Sequence, residues 1–263
     1  ERYQAVAGRI AAAADRAARP PDDITLVAVS KTWPAEVVVA AYQAGMRHFG
    51  ENRAEELAAK RPAVEAAVGL DSGIVWHAIG PLQSRKSNLT ADAADVFHAL
   101  DRAKIANRLS RRLLENGRSE TNPLPVFIEV NLSGEASKSG LDCSRWEEDD
   151  PQRQALRQMA RLVELEIRVD QRTEALRQMA RLVNELPGLV PQGLMTMAPW
   201  QVDEAVIRQV FRRTRLLARW LQDAEPDGQW SKLSMGLTAA LVLVIDDSAA
   251  HDRVGRAIFG LRP

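Results

Sequence analysis

Apolar residues at Val6, Ile10, Ala13, Ala14 and Ala17 recur every three or four positions and predict a first helix, which Arg19-Pro20-Pro21-Asp22 ends. The next pattern is different. Ile24-Thr25-Leu26-Val27-Ala28-Val29-Ser30 is a near-continuous apolar, β-branched run, as in a strand buried on both faces of a parallel sheet. Pro34 opens a helix through Ala44 that Gly45 closes. Strand-like runs then recur at Met46–Phe49, Ile74–Ile79, Val96–Leu100, Val126–Asn131, Leu189–Met197, Lys232–Met235 and Arg253–Val254. Helical segments separate most of them, notably Arg102–Asn116 and Asp203–Ala224. Eight strands alternating with helices predict an α/β fold, a single (β/α)8 TIM barrel over residues 1–263. The site of such a barrel lies at the C-terminal ends of its strands.

One segment breaks this rhythm. ALRQMARLV occurs at Ala155–Val163 and again, residue for residue, at Ala175–Val183. Two copies do not make a solenoid. Each carries a helical stripe, Leu156, Met159, Ala160 and Val163 in one and Leu176, Met179, Ala180 and Val183 in the other. A barrel needs one helix here, so an extra helical insertion around 150–186 is expected, lengthening a helix or adding an outer hairpin.

The first buried run ends at Lys31, where the barrel places its site. Burying an ammonium costs several kcal/mol unless it is paired or neutralised, and desolvation lowers its pKa. A neutral amine is what attacks an aldehyde to form a Schiff base. Only six of the 35 basic residues are lysine, so lysine here is an unusual choice for this chain. A lysine snorkelling from the strand mouth to solvent is the plainer alternative.

Composition narrows the function. The net charge is zero, so no global field points to nucleic acid or to an anionic membrane. Arg111-Arg112 and Arg212-Arg213 read as solvated helix faces. Cys143 is the single cysteine, which excludes an intramolecular disulfide. No stretch approaches a membrane span, and Glu1-Arg2-Tyr3-Gln4 lacks the apolar core of a signal peptide, so a cytoplasmic location is expected.

Further candidates sit at other strand ends. Asn52, after the second strand, offers a donor and an acceptor, or simply caps the helix from Ala54. His77 ends the third strand and reads first as a satisfied structural histidine. Together with His98 it lacks the spacing of metal ligands, and no metal is expected. Lys138 lies in the polar loop after the fifth strand and could neutralise an anion, or be an ordinary loop lysine. Ser234, Gly236, Thr238 and Gly255 are the small or hydroxylated residues that a phosphate cradle after strands seven and eight uses. A strand-one lysine opposite such a cradle describes an aldehyde held as a Schiff base with its phosphate across from it.

These residues fall within AVSKT (28–32), HFGEN (48–52), WHAIGPLQ (76–83), EVNLSGEASKSG (129–140), GLMTMAP (193–199), LSMG (233–236) and RVGRAIFG (253–260). In this order the motifs resemble the YggS/PROSC family, the pyridoxal 5′-phosphate homeostasis proteins. The resemblance implies a fold-type III barrel like the N-terminal domain of alanine racemase, without that enzyme's second domain. It implies pyridoxal 5′-phosphate as cofactor, held as a Schiff base on Lys31, with Ser234, Gly255 and Arg256 at the phosphate. It places Arg253 near the pyridine nitrogen, Asn52 near the ring face, and Lys138 as a second lysine able to accept the cofactor in transfer. His77, Met195 and Gly236 on the same motifs, and Thr238 two residues beyond LSMG, are secondary candidates. The implied role is intracellular cofactor homeostasis by a monomer without robust catalytic activity, with cofactor-dependent apo-enzymes as recipients and no nucleic-acid or membrane partner.

The chain also departs from the pattern. Leu237-Thr238-Ala239-Ala240 lacks the family's acid, Leu241–Ile245 is apolar all round, and Asp252 stands where an apolar strand residue is expected. These departures bear on the phosphate end and on the last βα unit. Three other functions remain open. A racemase needs a second acid/base on the opposite face of the cofactor, and the two tyrosines, Tyr3 and Tyr42, lie in outer-helix patterns. A cofactor-independent Schiff-base lyase would use Lys31 on a phosphorylated sugar. A scaffold would use the duplicated helix.

Overall fold

The computed structural model describes residues 1–144, 146, 171–199, 202–236 and 250–260. Its strands are β1 (Thr25–Val29), β2 (His48–Glu51), β3 (Val75–Ala78), β4 (Val96–Leu100), β5 (Leu124–Asn131), β6 (Leu141–Asp142), β7 (Leu189–Met195), β8 (Lys232–Met235) and β9 (His251–Val254). All pairings are parallel. They run from β4 through β3, β2, β1, β9, β8 and β7 to β5, and β4 pairs with β5 to close the ring. The eight-stranded barrel expected from the alternation is therefore present. The two-residue β6 is an addition with no signal in the sequence, extending the end of β5 at Val130 and Asn131. Strand bounds shift by one or two residues, most at the second strand, which starts at His48 although Met46 is buried.

The described helices are α1 (Arg2–Arg16), α2 (Ala35–Gln43), α3 (Ala54–Val68), α4 (Ser87–Ala93), α5 (Ala103–Glu115), α6 (Arg118–Thr121), α7 (Gln171–Glu185), α8 (Glu204–Ala224) and α9 (Arg256–Phe259). Amphipathic stripes seat them on the barrel: Val6, Ile10, Ala13 and Ala14 of α1 are buried, as are Leu109 and Leu113 of α5. The second ALRQMARLV copy falls inside α7, and its stripe is buried: Leu176, Met179, Ala180 and Val183. It packs on β7 and α5, so this copy is the barrel's own helix. The first copy lies outside the described residues. Arg213 differs from its expected solvated role: its guanidinium donates to the carbonyls of Leu132, Ser144 and Trp146, tying α8 to the loop around β6. Among the described residues no helix is long and apolar enough to cross a membrane.

Alternation along the strands separates two layers of polar side chains. Facing inward, His48, His77 and His98 meet across β2, β3 and β4, and Ser234 and His251 reach them from β8 and β9. His48 Nδ1 lies 3.0 Å from His77 Nε2, and His77 Nδ1 lies 2.8 Å from His98 Nε2. His98 Nδ1 lies 2.7 Å from Ser234 Oγ. The His251 ring packs edge-on against His77, His98 and Phe127. Contacts between strands that are not neighbours are possible only through the barrel interior. Facing outward, Ser30 and Glu51 sit beneath α3 with Lys60.

Candidate functional site

A cavity of about 310 Å³ opens at the C-terminal strand ends, within the range of small-ligand sites. Lys31 reaches its wall because β1 alternates: Val27 and Val29 face inward, and Lys31 continues that face just past the strand. Asn52 follows β2 in the same way and lines the cavity. It does not cap α3, whose N-cap is Arg53. Gly80 lines the wall beside Asn52, and a Cβ there would lie 2.3 Å from the Asn52 carbonyl oxygen, so only glycine lets the β3 loop run this close. Arg253, Gly255 and Arg256 from the β9–α9 junction, Gly236 after β8 and Lys138 from the loop after β5 complete the expected set.

Three expected residues are not on this wall. Ser234 is fully buried one layer below, with its hydroxyl on His98 rather than toward the cavity, because β8 pairs it with His251. The Ser234 side chain thus meets the interior histidine row and does not line the cavity wall. His77 also lies in the interior, between His48 and His98, as a satisfied structural histidine. Met195 is buried at the end of β7, and Met197, two residues on, lines the cavity in its place. Thr238, like the rest of 237–249, lies outside the described residues. Among the described residues no histidine, cysteine or acidic cluster is arranged to hold a metal ion.

Glu129 is the residue the sequence reading passed over. It lines the cavity, is 4% exposed, and its Oε2 has no hydrogen-bond partner among the described residues. Burial pushes its carboxyl up to about 7, against the pull of the Arg253 guanidinium. The signal was present: a carboxylate inside the buried run VFIEVN raises the same question as a lysine at the end of one. Arg253 is itself buried and donates to the Thr196 carbonyl at 2.9 Å. Burial lowers it to about 10, still well within its charged range at neutral pH. Lys138 Nζ donates to the Ala198 carbonyl at 2.7 Å, which draws the β5 and β7 loops together over the cavity.

The wall thus carries four cationic side chains, Lys31, Lys138, Arg253 and Arg256, against one carboxyl near its own midpoint. Such a field suits a compact anion, and a lysine amine at its edge suits a carbonyl group. The size, the excess of cations and the reachable lysine fit a phosphorylated pyridine aldehyde.

Fold and site together define a parallel (β/α)8 barrel with a lysine after its first strand and a cationic cavity at its mouth. By sequence the chain is 36% identical over 258 residues to the pyridoxal phosphate homeostasis protein of Escherichia coli, covering 98% of this chain and 94% of the relative. The chain belongs to the pyridoxal phosphate homeostasis protein family. PipY of Synechococcus elongatus, solved with pyridoxal phosphate bound, is 29% identical with a TM-score of 0.73, covering 97% of this chain and all (100%) of that one. An alanine racemase from Clostridium difficile shares the fold alone, at 12% identity and a TM-score of 0.64, covering 92% of this chain and 53% of that one. No family model matches the chain.

Proposed function

We propose that this protein binds pyridoxal 5′-phosphate in the cavity at the strand ends and holds it on Lys31 as a carrier rather than turning over a substrate. The observation that carries this reading is the position of Lys31 on a wall with four cationic groups and one titrating carboxyl. When bound, the cofactor would supply an aldehyde for the Lys31 amine and a phosphate that needs donors. Arg256 and the main chain at Gly236 and Gly255 are the groups on hand for the phosphate. Asn52 would orient the ring. Arg253 would face the ring nitrogen, where a fixed cation opposes protonation and weakens the electron sink that carbanion chemistry needs. Lys138 would be the second amine, able to receive the cofactor on its way to a recipient apo-enzyme.

One observation favours a second reading, proton transfer on a bound amino acid. Glu129 is a cavity group that can exchange protons near neutrality. The tyrosines cannot serve, since Tyr3 and Tyr42 lie on α1 and α2. An enzyme working this way loses racemase activity in Glu129→Gln, whereas a carrier has none to lose.

Borohydride reduction of the protein loaded with pyridoxal 5′-phosphate, followed by peptide mapping, tests the main reading. The expected result is loss of the visible band and a pyridoxyl-phosphate adduct on Lys31. Lys31→Ala should give no adduct there at an unchanged melting temperature. An undiminished band in that variant, or failure of the unmodified protein to take up the cofactor, overturns the assignment.

A further inference from the structure

Lys60 is a lysine buried behind β1, 7% exposed, and the function above does not use it. It projects from α3 into the layer between helix and barrel. Its Nζ donates to the Ser30 carbonyl at 3.0 Å, to Glu51 Oε1 at 2.6 Å and to Glu56 Oε1 at 2.9 Å. The Ser30 hydroxyl donates to the same Glu51 oxygen at 2.7 Å. The main-chain N–H of Thr32 donates to the same Glu56 oxygen at 2.5 Å. Both neighbours of Lys31 are therefore anchored to one ammonium and its two carboxylates, while Lys31 itself faces the cavity.

The backbone between those anchors needs the support. Trp33 N–H donates to the Ser30 carbonyl at 3.1 Å, closing a four-residue turn with Lys31 second and Thr32 third. Thr32 has φ +70°, a left-handed conformation that β-branched residues seldom adopt and that glycine normally fills in such a turn. Lys60 donates to the very carbonyl that closes the turn, and Glu56 accepts the N–H of its strained residue.

We infer that Lys60, with Glu51 and Glu56, is a positioning clamp that holds the Lys31 turn so that the lysine amine meets a carbonyl ligand in the cavity. The clamp does not touch the ligand and acts through the turn alone. It rests on the functional reading above.

Two probes separate orientation from binding. Pyridoxal 5′-phosphate reports capture on Lys31, as the rate at which borohydride-trappable adduct forms. 4′-Deoxypyridoxine 5′-phosphate has no aldehyde, so its affinity reports the cavity alone. Lys60→Met and Glu56→Ala should slow capture at least about tenfold, as expected for a misplaced reacting group, and leave affinity for the aldehyde-free analogue within about twofold. Glu56→Gln keeps an acceptor for the Thr32 N–H and should restore most of the rate. Leu57→Ala, which removes a buried side chain from the same helix, should lower the melting temperature without slowing capture. Capture at the normal rate in both Lys60→Met and Glu56→Ala, or equal weakening of both ligands, overturns the clamp. If Lys60→Met does not fold, the contrast between Glu56→Ala and Glu56→Gln decides. Absence of any adduct on Lys31 in the unmodified protein overturns the functional reading, and the clamp with it.

Discussion

Asp252 lies inside β9 with no exposed surface, and neither carboxylate oxygen makes a well-formed hydrogen bond among the described residues. Its neighbour's N–H and the Arg253 and Arg9 charges offset the burial only in part, and the carboxyl is pushed up to about 8. In the unfolded chain it ionises near 3.8. A carboxyl whose folded pKa is raised costs nothing while protonated in both states, and it loses stability as pH climbs from the unfolded value to the folded one. Asp252→Val should therefore stabilise the protein by several kcal/mol at pH 7, since each pH unit above the unfolded value adds about 1.4 kcal/mol. Its advantage over the unmodified chain should grow from about pH 4 to about pH 8 and then level off. Denaturant midpoints across that range measure it, and a constant difference would show that the carboxyl is not held neutral. The sequence pattern marks some of these polar groups and hides others. Lys31 stood out because it closes a buried run. Glu129, Asp252 and Lys60 are more deeply buried than Lys31, yet of the three only Asp252 stands out in the sequence, as a departure. Lys60 sits at an ordinary polar position of a helical pattern, and its value appears only when α3 lies against β1.

Among the elements, α7 shows how a repeated sequence can mislead. Identical nonapeptides gave no basis for choosing the copy that belongs to the barrel, because a stripe marks a helix without naming the surface it covers. Tertiary packing decides it: the copy next to β7 is buried along its stripe. Leu176→Ala should cost about 2–4 kcal/mol by leaving a cavity against the barrel. Chemical denaturation monitored by fluorescence would measure this, and a loss under half a kilocalorie would mean the helix is dispensable. Strand placement is legible almost throughout, since most strand positions of the closed barrel are apolar and the inward histidines are the main departures. The exceptions have local causes. The β2 strand starts two residues later than its run and extends through Glu51, a buried polar residue that an apolar pattern leaves out. The β6 strand is too short to carry a pattern at all.

For the whole molecule, the polar groups inside the barrel and behind it set opposing responses to acid. Burial lowers all four histidines: His77 and His98 far below the ordinary value, His251 to about 3, and His48 to a lesser degree. A histidine with a depressed folded pKa keeps its stability at high pH and loses it as pH falls below the unfolded value, 6.5. Glu51 and Glu129, both pushed up to about 7, and Asp252 respond in the opposite sense. At about pH 5.5, unfolding takes up protons on the histidines and releases protons from the three carboxyls, so the two responses oppose each other. Stability should therefore fall only gently with acid, and more steeply in Asp252→Val, which has lost one of the opposing carboxyls. Stability measured at intervals from pH 5 to 6.5 checks both slopes. Equal slopes in the two proteins would remove Asp252 from the balance.

The row from His48 to Ser234 has one more property. Each imidazole presents Nδ1 to its successor and Nε2 to its predecessor, so every link between neutral rings holds a single hydrogen. Only two tautomeric patterns satisfy all three links: every ring carries its hydrogen on Nδ1, or every ring carries it on Nε2. In the first, the Ser234 hydroxyl accepts from His98 and is free to donate elsewhere. In the second, it spends its hydrogen on His98, and the half-buried His48 turns an N–H outward. The barrel floor is thus a polar thread with one sense of direction, and a group that claims the Ser234 hydrogen at one end fixes which nitrogen of His48 carries a hydrogen at the other, with no heavy atom displaced.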